Sequence, residues 1–215
     1  MLGGLNMKSA SSLLSKSNRR THHPPAHASL NLSAAVDWRK SDAVTPADSQ
    51  QQCGSCYAFM SLGTLEGQHF IKTGKLIPLS VQNILDCSGK YGNMGYNGGL
   101  MDASFQYIKD NKGVDADASY SYEAVDGKCR FKRENVAATD TGFIDIEKGN
   151  ETALTIAIAT VGPISTAMDA SQPSFQFYSS GVYDEPKCTS DLDHTLVLVG
   201  YGTATNGTKK QDYYI

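Results

Sequence analysis

Nothing in this chain approaches the run of about 18 consecutive apolar residues that a membrane-spanning helix needs, and residues 1–14 lack the apolar stretch of a secretory signal. Neither a membrane partner nor a signal peptide is therefore expected. An excess of charge of either sign is missing too: 19 Lys and Arg face 22 Asp and Glu, for a net charge of -3, and the basic residues are scattered. Without a basic patch there is no electrostatic footprint for nucleic acid or for an anionic lipid surface. Cysteine is sparse and odd in number. The five thiols, at positions 53, 56, 87, 129 and 188, cannot all sit in internal disulfides, so at least one must be free. His22 and His23 have no cysteine or carboxylate at ligand spacing, which makes them a solvated run; no metal and no cofactor is expected.

What is present divides the chain in two. Residues 1–33 are rich in Ser, Asn, His, Lys and Pro without apolar periodicity, and read as a flexible leader. From residue 34 to 215 the composition is that of a folded domain, long enough to bury a core without staples. Phe59, Leu62, Leu65 and Phe70 recur at helical spacing, with polar Ser61, Glu66 and Gln68 between them, so a buried helix should start near Ser55. Ser80 is placed to cap a second helix through Val81, Ile84 and Leu85; residues 101–111 read as a third, with Met101, Phe105 and Ile108 on one face. Residues 151–160 predict a short helix stopped by Gly162-Pro163. Strands are predicted over 164–168, 195–201 and from 213 onward. A mainly helical half followed by a mainly β half is an α+β arrangement, with a ligand cleft expected between the two. Three Asn-X-Ser/Thr triplets, at Asn31, Asn150 and Asn206, are compatible with a secretory route but common by chance.

The strongest local signal is Gln50-Gln51-Gln52-Cys53-Gly54-Ser55-Cys56-Tyr57-Ala58-Phe59, where a glycine-containing turn runs into a helix. A thiol at a helix N-terminus meets the positive end of the macrodipole and unpaired N–H groups, both of which favour the nucleophilic thiolate. His194 follows 138 residues later, opening the apolar segment Thr195-Leu196-Val197-Leu198-Val199. A thioredoxin-type redox reading of Cys53-Gly54-Ser55-Cys56 would need a preceding βαβ pattern, and none precedes it.

Cys-Gly-Ser-Cys-Tyr with a histidine at that distance resembles the nucleophile signature of the papain-like cysteine peptidases, the C1 family. Asn97-Gly98-Gly99-Leu100-Met101-Asp102, Val161-Gly162-Pro163-Ile164 and Val199-Gly200-Tyr201-Gly202 extend the resemblance, to the cathepsin L group in particular, from about Val36 to Ile215. It implies a two-lobed fold with the cleft between a helical and a β lobe. It also implies an endopeptidase in which Cys56 and His194 form a thiolate–imidazolium pair and a thioester intermediate, with Gln50 as oxyanion donor. Gly98, Gly99, Leu100, Met101, Ala167, Leu192 and Asp193 are then expected to contact substrate and to favour an apolar residue at the second position before the cut. Protein or peptide substrates, cystatin-like or pro-region-type inhibitors, a monomeric state, and a lysosomal or extracellular location are implied in the same way. So is a disulfide between Cys87 and Cys129. The leader resembles the tail of a pro-region.

Several positions depart from the family pattern. The sequence stops at Ile215, before the asparagine that would orient the histidine and before the last strands of the β lobe. Tyr96 occupies the place of the cysteine that would pair with Cys53, and Cys188 lacks its counterpart. Each missing bridge is worth about 2–4 kcal/mol. Orphaned Cys53 could then join Cys56 and mask it. Tyr57 replaces tryptophan, and Gln51 replaces a glycine beside the oxyanion donor. These departures keep open an alternative, a catalytically impaired homologue that binds peptides or inhibitors.

Overall fold

The computed structural model describes Thr21–His22 and residues 31–215. The expected leader, apart from Thr21–His22 and 31–33, lies outside the described residues. The order of elements is β1 (Thr21–His22), β2 (Val36–Asp37), a 3-10 turn (Trp38–Ser41), α1 (Cys56–Thr73), α2 (Val81–Cys87), α3 (Met101–Asn111), β3 (Val114–Asp115), β4 (Val136–Ala138), β5 (Asp145–Ile146), α4 (Glu151–Thr160), β6 (Ile164–Met168), α5 (Pro173–Gln176), β7 (His194–Leu198), β8 (Gly200–Asn206) and β9 (Lys209–Tyr214). The first half is helical and the second is built on two antiparallel sheets, β6-β7 and β2-β8-β9, which makes the fold α+β.

Local chemistry accounts for the helix ends. Ser80 Oγ accepts the Asn83 N–H at 2.9 Å and starts α2, and Asn150 Oδ1 accepts the Ala153 N–H at 2.9 Å to start α4. Gly74, at φ 72°, closes α1 by returning its N–H to the Phe70 carbonyl. The core of the first half gathers Tyr57, Leu62 and Leu65 from α1, Ile84 and Leu85 from α2, Tyr107 and Ile108 from α3, and Val114 from β3. Fully burying side chains of this size is worth roughly 1.5–3 kcal/mol each. A disulfide between Cys87 and Cys129, across a sequence separation of 42, ties the end of α2 to the loop before β4.

Helix α1 is the seam between the halves. Ser61 and Glu66, the polar positions between its apolar ones, are nevertheless buried; the β6-β7 sheet packs on α1, and Glu66 is covered by Thr45 and Leu79, from which it accepts hydrogen bonds. Ser165 Oγ on β6 meets Thr64 Oγ1 at 2.6 Å and donates to the Met60 carbonyl at 3.0 Å, and Gly63 lies against Val197 of β7. In α3 the inward face is Ala103, Ser104, Tyr107 and Ile108, with Met101 and Phe105 only half-buried. Tyr107 turns inward because its hydroxyl is satisfied there, accepting from the side-chain amides of Asn83 at 3.0 Å and Asn111 at 3.1 Å.

The segment 195–201, predicted as one strand, is two. The break falls at Val199, whose N–H donates to the Ile215 carbonyl at 2.7 Å while its carbonyl accepts from the Trp38 N–H at 2.8 Å. Before it, β7 pairs with β6; after it, β8 pairs with β2 and β9. Gly200 is required at the switch, since a Cβ there would run into the Val36 carbonyl.

Candidate active site

Cys56 is the first residue of α1 and is buried. Its N–H is one of the helix-initial donors that have no intrahelical acceptor. The loop delivering it is held at several points. Cys53 N–H returns to the Gln50 carbonyl at 3.3 Å, and the Gln50 side-chain amide donates to the Cys53 carbonyl at 2.7 Å. Between them Gln51 has φ 56°, in the left-handed region where a glycine is normally preferred. Gly54 N–H donates to the Tyr96 carbonyl at 2.9 Å, and the Tyr57 hydroxyl donates to the Gly95 carbonyl at 3.1 Å. Where the family would place a Cys53 disulfide, two hydrogen bonds join the same pair of loops. Cys53 and Cys56 are both buried free thiols, not bonded to one another, and Cys188 is free and exposed.

At the other end of the loop, Tyr122 reaches in from 67 residues beyond Ser55. Its hydroxyl lies 2.6 Å from Ser55 Oγ and donates to the Gln50 carbonyl at 2.9 Å. Its ring packs edge-on against Phe59 of α1, with centroids 5.0 Å apart. Ser55, although it occupies the N-cap position of α1, makes no side-chain capping bond.

The sheet supplies the second part of the site. In the β6-β7 ladder Ala167 pairs with Thr195 and Met168 with His194. Because side chains alternate along a strand, Thr195 shares the face of Val197, the face turned to α1. Thr195 is fully buried beside Cys56, and its Oγ1 has no hydrogen-bond partner among the described residues. Burial pushes the Cys56 thiol up; the hydroxyl and backbone of Thr195 and the backbone of Tyr57 pull it back, and the Asp193 charge adds to the rise. Burial pushes the His194 imidazole down, against the opposing pull of Asp193. Both shifts favour neutral side chains, so burial works against the helix-terminus effect at Cys56. His194 Nδ1 is buried without a hydrogen-bond partner among the described residues.

Asp193 is tied into the loop after β6: its N–H donates to the Met168 carbonyl at 3.1 Å, and Oδ1 accepts the Ala170 N–H at 2.7 Å. Gly98 adopts φ 111°, and Gly99 lies against Tyr57 and Asn93 so closely that a Cβ would overlap both, a packing reason for glycine at 99. Leu100, whose N–H donates to Asn93 Oδ1 at 2.8 Å, is half-buried, as are Met101, Ala167 and Leu192. The structure thus brings Gln50, Cys56 and the loop of Gly99 together through the 50–57 turn, and sets Cys56 beside Thr195 at the start of β7. Thr195, Tyr122 and Ser55 were not singled out by the sequence. Period-two alternation next to His194 was a signal for Thr195; Tyr122 had none.

A free thiol at a helix N-terminus, set against a strand that opens with a histidine, is the frame of a cysteine-nucleophile hydrolase. Residues 32–215 match the model for the papain family cysteine proteases. The chain belongs to that family. It is 58% identical over 189 residues to a cathepsin L-like peptidase of Aedes aegypti, covering 87% of this chain and 55% of that protein. It is 57% identical over 187 residues to procathepsin L of Rattus norvegicus, covering 86% and 56% respectively. Among solved structures it superposes on the digestive procathepsin L2 proteinase from Tenebrio molitor larval midgut with a TM-score of 0.89 at 34% identity, over 99% of this chain and 66% of that one. The chain spans about half the length of the curated relatives it matches.

Proposed function

We propose that this chain carries the hydrolytic centre of a cathepsin L-like cysteine endopeptidase. The observation that carries the reading is the buried, unbonded Cys56 at the N-terminus of α1, a helix packed on the strand β7, whose first residue is a histidine with a buried Nδ1 that has no partner among the described residues. In this reading the Cys56 proton passes to His194, the sulfur attacks a peptide carbonyl, and the imidazolium returns the proton to the departing amine. Water then hydrolyses the thioester. Gln50 has two amide hydrogens, one engaged by the Cys53 carbonyl, which leaves the second to face the oxyanion beside the Cys56 N–H.

Substrate is held along Gly98, Gly99, Leu100 and Met101 on one side and Ala167, Leu192 and Asp193 on the other, with an apolar side chain at the second position before the cut. Protein and peptide substrates, pro-region-type or cystatin-like inhibitors, action as a monomer, and a lysosomal or extracellular setting follow from the same reading. The test is mass spectrometry after exposure to a peptidyl epoxide or vinyl sulfone with leucine at the second position, at pH 5.5 in mild reductant. Stoichiometric modification of Cys56, lost in His194→Ala, is the expected result. No modification of a demonstrably folded sample would refute it and favour a peptide-binding homologue.

A further inference from the structure

We propose that the Tyr122 hydroxyl is a positioning residue for oxyanion stabilisation, holding the Gln50 amide in register with the Cys56 N–H; this rests on the peptidase reading above. The two donors sit at opposite ends of one loop. Cys56 N–H is fixed by α1, but Gln50 is reached through a turn that contains Gln51 in the left-handed region and is closed by a long, 3.3 Å backbone bond and by the Gln50 side-chain amide on the Cys53 carbonyl at 2.7 Å. Both closing bonds lie inside the turn, and neither ties Gln50 to the rest of the fold. The Tyr122 hydroxyl bonds both ends: it lies 2.6 Å from Ser55 Oγ, next to Cys56, and donates to the Gln50 carbonyl at 2.9 Å. With that donor direction fixed, Ser55 donates to Tyr122, giving a continuous relay from the residue before Cys56 to the residue that carries the second donor.

Two further observations point the same way. A serine at an N-cap usually turns its hydroxyl onto the helix N–H groups, a contact worth about 1 kcal/mol. Here that bond is not made, and the hydroxyl is directed to Tyr122 instead; the Ala58 N–H is taken by the Ser55 carbonyl at 2.9 Å, so the Ser55 hydroxyl is spared for the loop. The edge-on packing of the Tyr122 ring on Phe59 fixes the phenol to α1 itself, so loop and helix share one reference point. Burial raises the phenol's pKa, so it remains a donor across the working range.

The experiment compares wild type and Tyr122→Phe on two reactions of the same thiol. Hydrolysis of a peptidyl aminomethylcoumarin with leucine at the second position passes through an oxyanion; alkylation by iodoacetamide does not. Phenylalanine keeps the ring contact with Phe59 and deletes only the hydroxyl. The expected result is a fall in kcat of about tenfold to a hundredfold with KM unchanged, somewhat less than loss of the oxyanion donor itself, while the alkylation rate of Cys56 is unchanged. Equal falls in both reactions would show a merely structural role and overturn the proposal, as would unchanged kcat. Ser55→Ala, which breaks the same relay at its other end, gives the answer by the same pair of assays if Tyr122→Phe does not fold. A wild-type chain that alkylates but never turns over peptide would overturn the peptidase reading itself, and the proposal with it.

Discussion

Glu66 offers a quantitative test of how the α1 seam is built. It is buried in the middle of α1, where Oε2 accepts from the Thr45 hydroxyl at 2.5 Å and Oε1 from the Leu79 N–H at 2.7 Å. Burial pushes its carboxyl from an ordinary 4.5 up to about 7, the two hydrogen bonds opposing. Between those values the folded chain holds a proton that the unfolded chain has released, so stability falls as pH rises through the window from about 4.5 to 7. It is level on either side. At about 1.4 kcal/mol per unit, the full penalty at neutral pH is about 3 kcal/mol. Gln is the isostere of the protonated carboxyl: its carbonyl accepts from Leu79 and its amide donates to Thr45. Urea unfolding of wild type and Glu66→Gln at pH 4.5, 5.5, 6.5 and 8 should show near-equal stabilities at the acid end and a lead for the variant of about 3 kcal/mol at pH 8, or roughly 6–12 °C in Tm. Parallel curves, or a variant less stable at pH 8, would refute a buried carboxyl as the cause.

Two other changes probe the scaffold. Gln51→Gly removes a left-handed side chain and should add about 1 kcal/mol by urea unfolding, the relief of αL strain exceeding the added entropy of the unfolded chain; a loss would mean that the Gln51 side chain makes a contact of greater worth. Cys87→Ser with Cys129→Ser opens a loop spanning a sequence separation of 42 and should cost about 4 kcal/mol under non-reducing conditions, with no difference from the reduced wild type once the bridge is cut.

The parts of the fold that could be read beforehand are those fixed by neighbours in sequence. Residues 101–111 and 151–160 form helices with the predicted bounds, and Ser80 caps α2, because periodicity and caps act within one or two turns. The nucleophile and histidine candidates were legible through spacing and motif. What escaped was set by distant partners. The burial of Glu66 depends on Thr45 and Leu79, which it meets across 21 and 13 residues, and the break at Val199 on hydrogen bonds to Trp38 and Ile215. Tyr122 meets Gln50 across 72 residues without any local pattern to announce it.

The hydrogen-bonded joint between the 53–57 turn and the 95–96 loop has a chemical consequence. A free thiol such as Cys56 survives only where the surroundings are reducing enough to keep it from oxidation, and those are conditions that attack disulfides. Here the strap nearest the thiol consists of the Gly54–Tyr96 and Tyr57–Gly95 contacts, which no thiol reagent can cleave. Reductant strong enough to open Cys87–Cys129 would free the loop whose Asp126 accepts the Tyr96 N–H at 2.6 Å, but it would leave the two straps themselves unbroken. The contacts nearest the sulfur thus stand outside the redox chemistry that keeps it reduced.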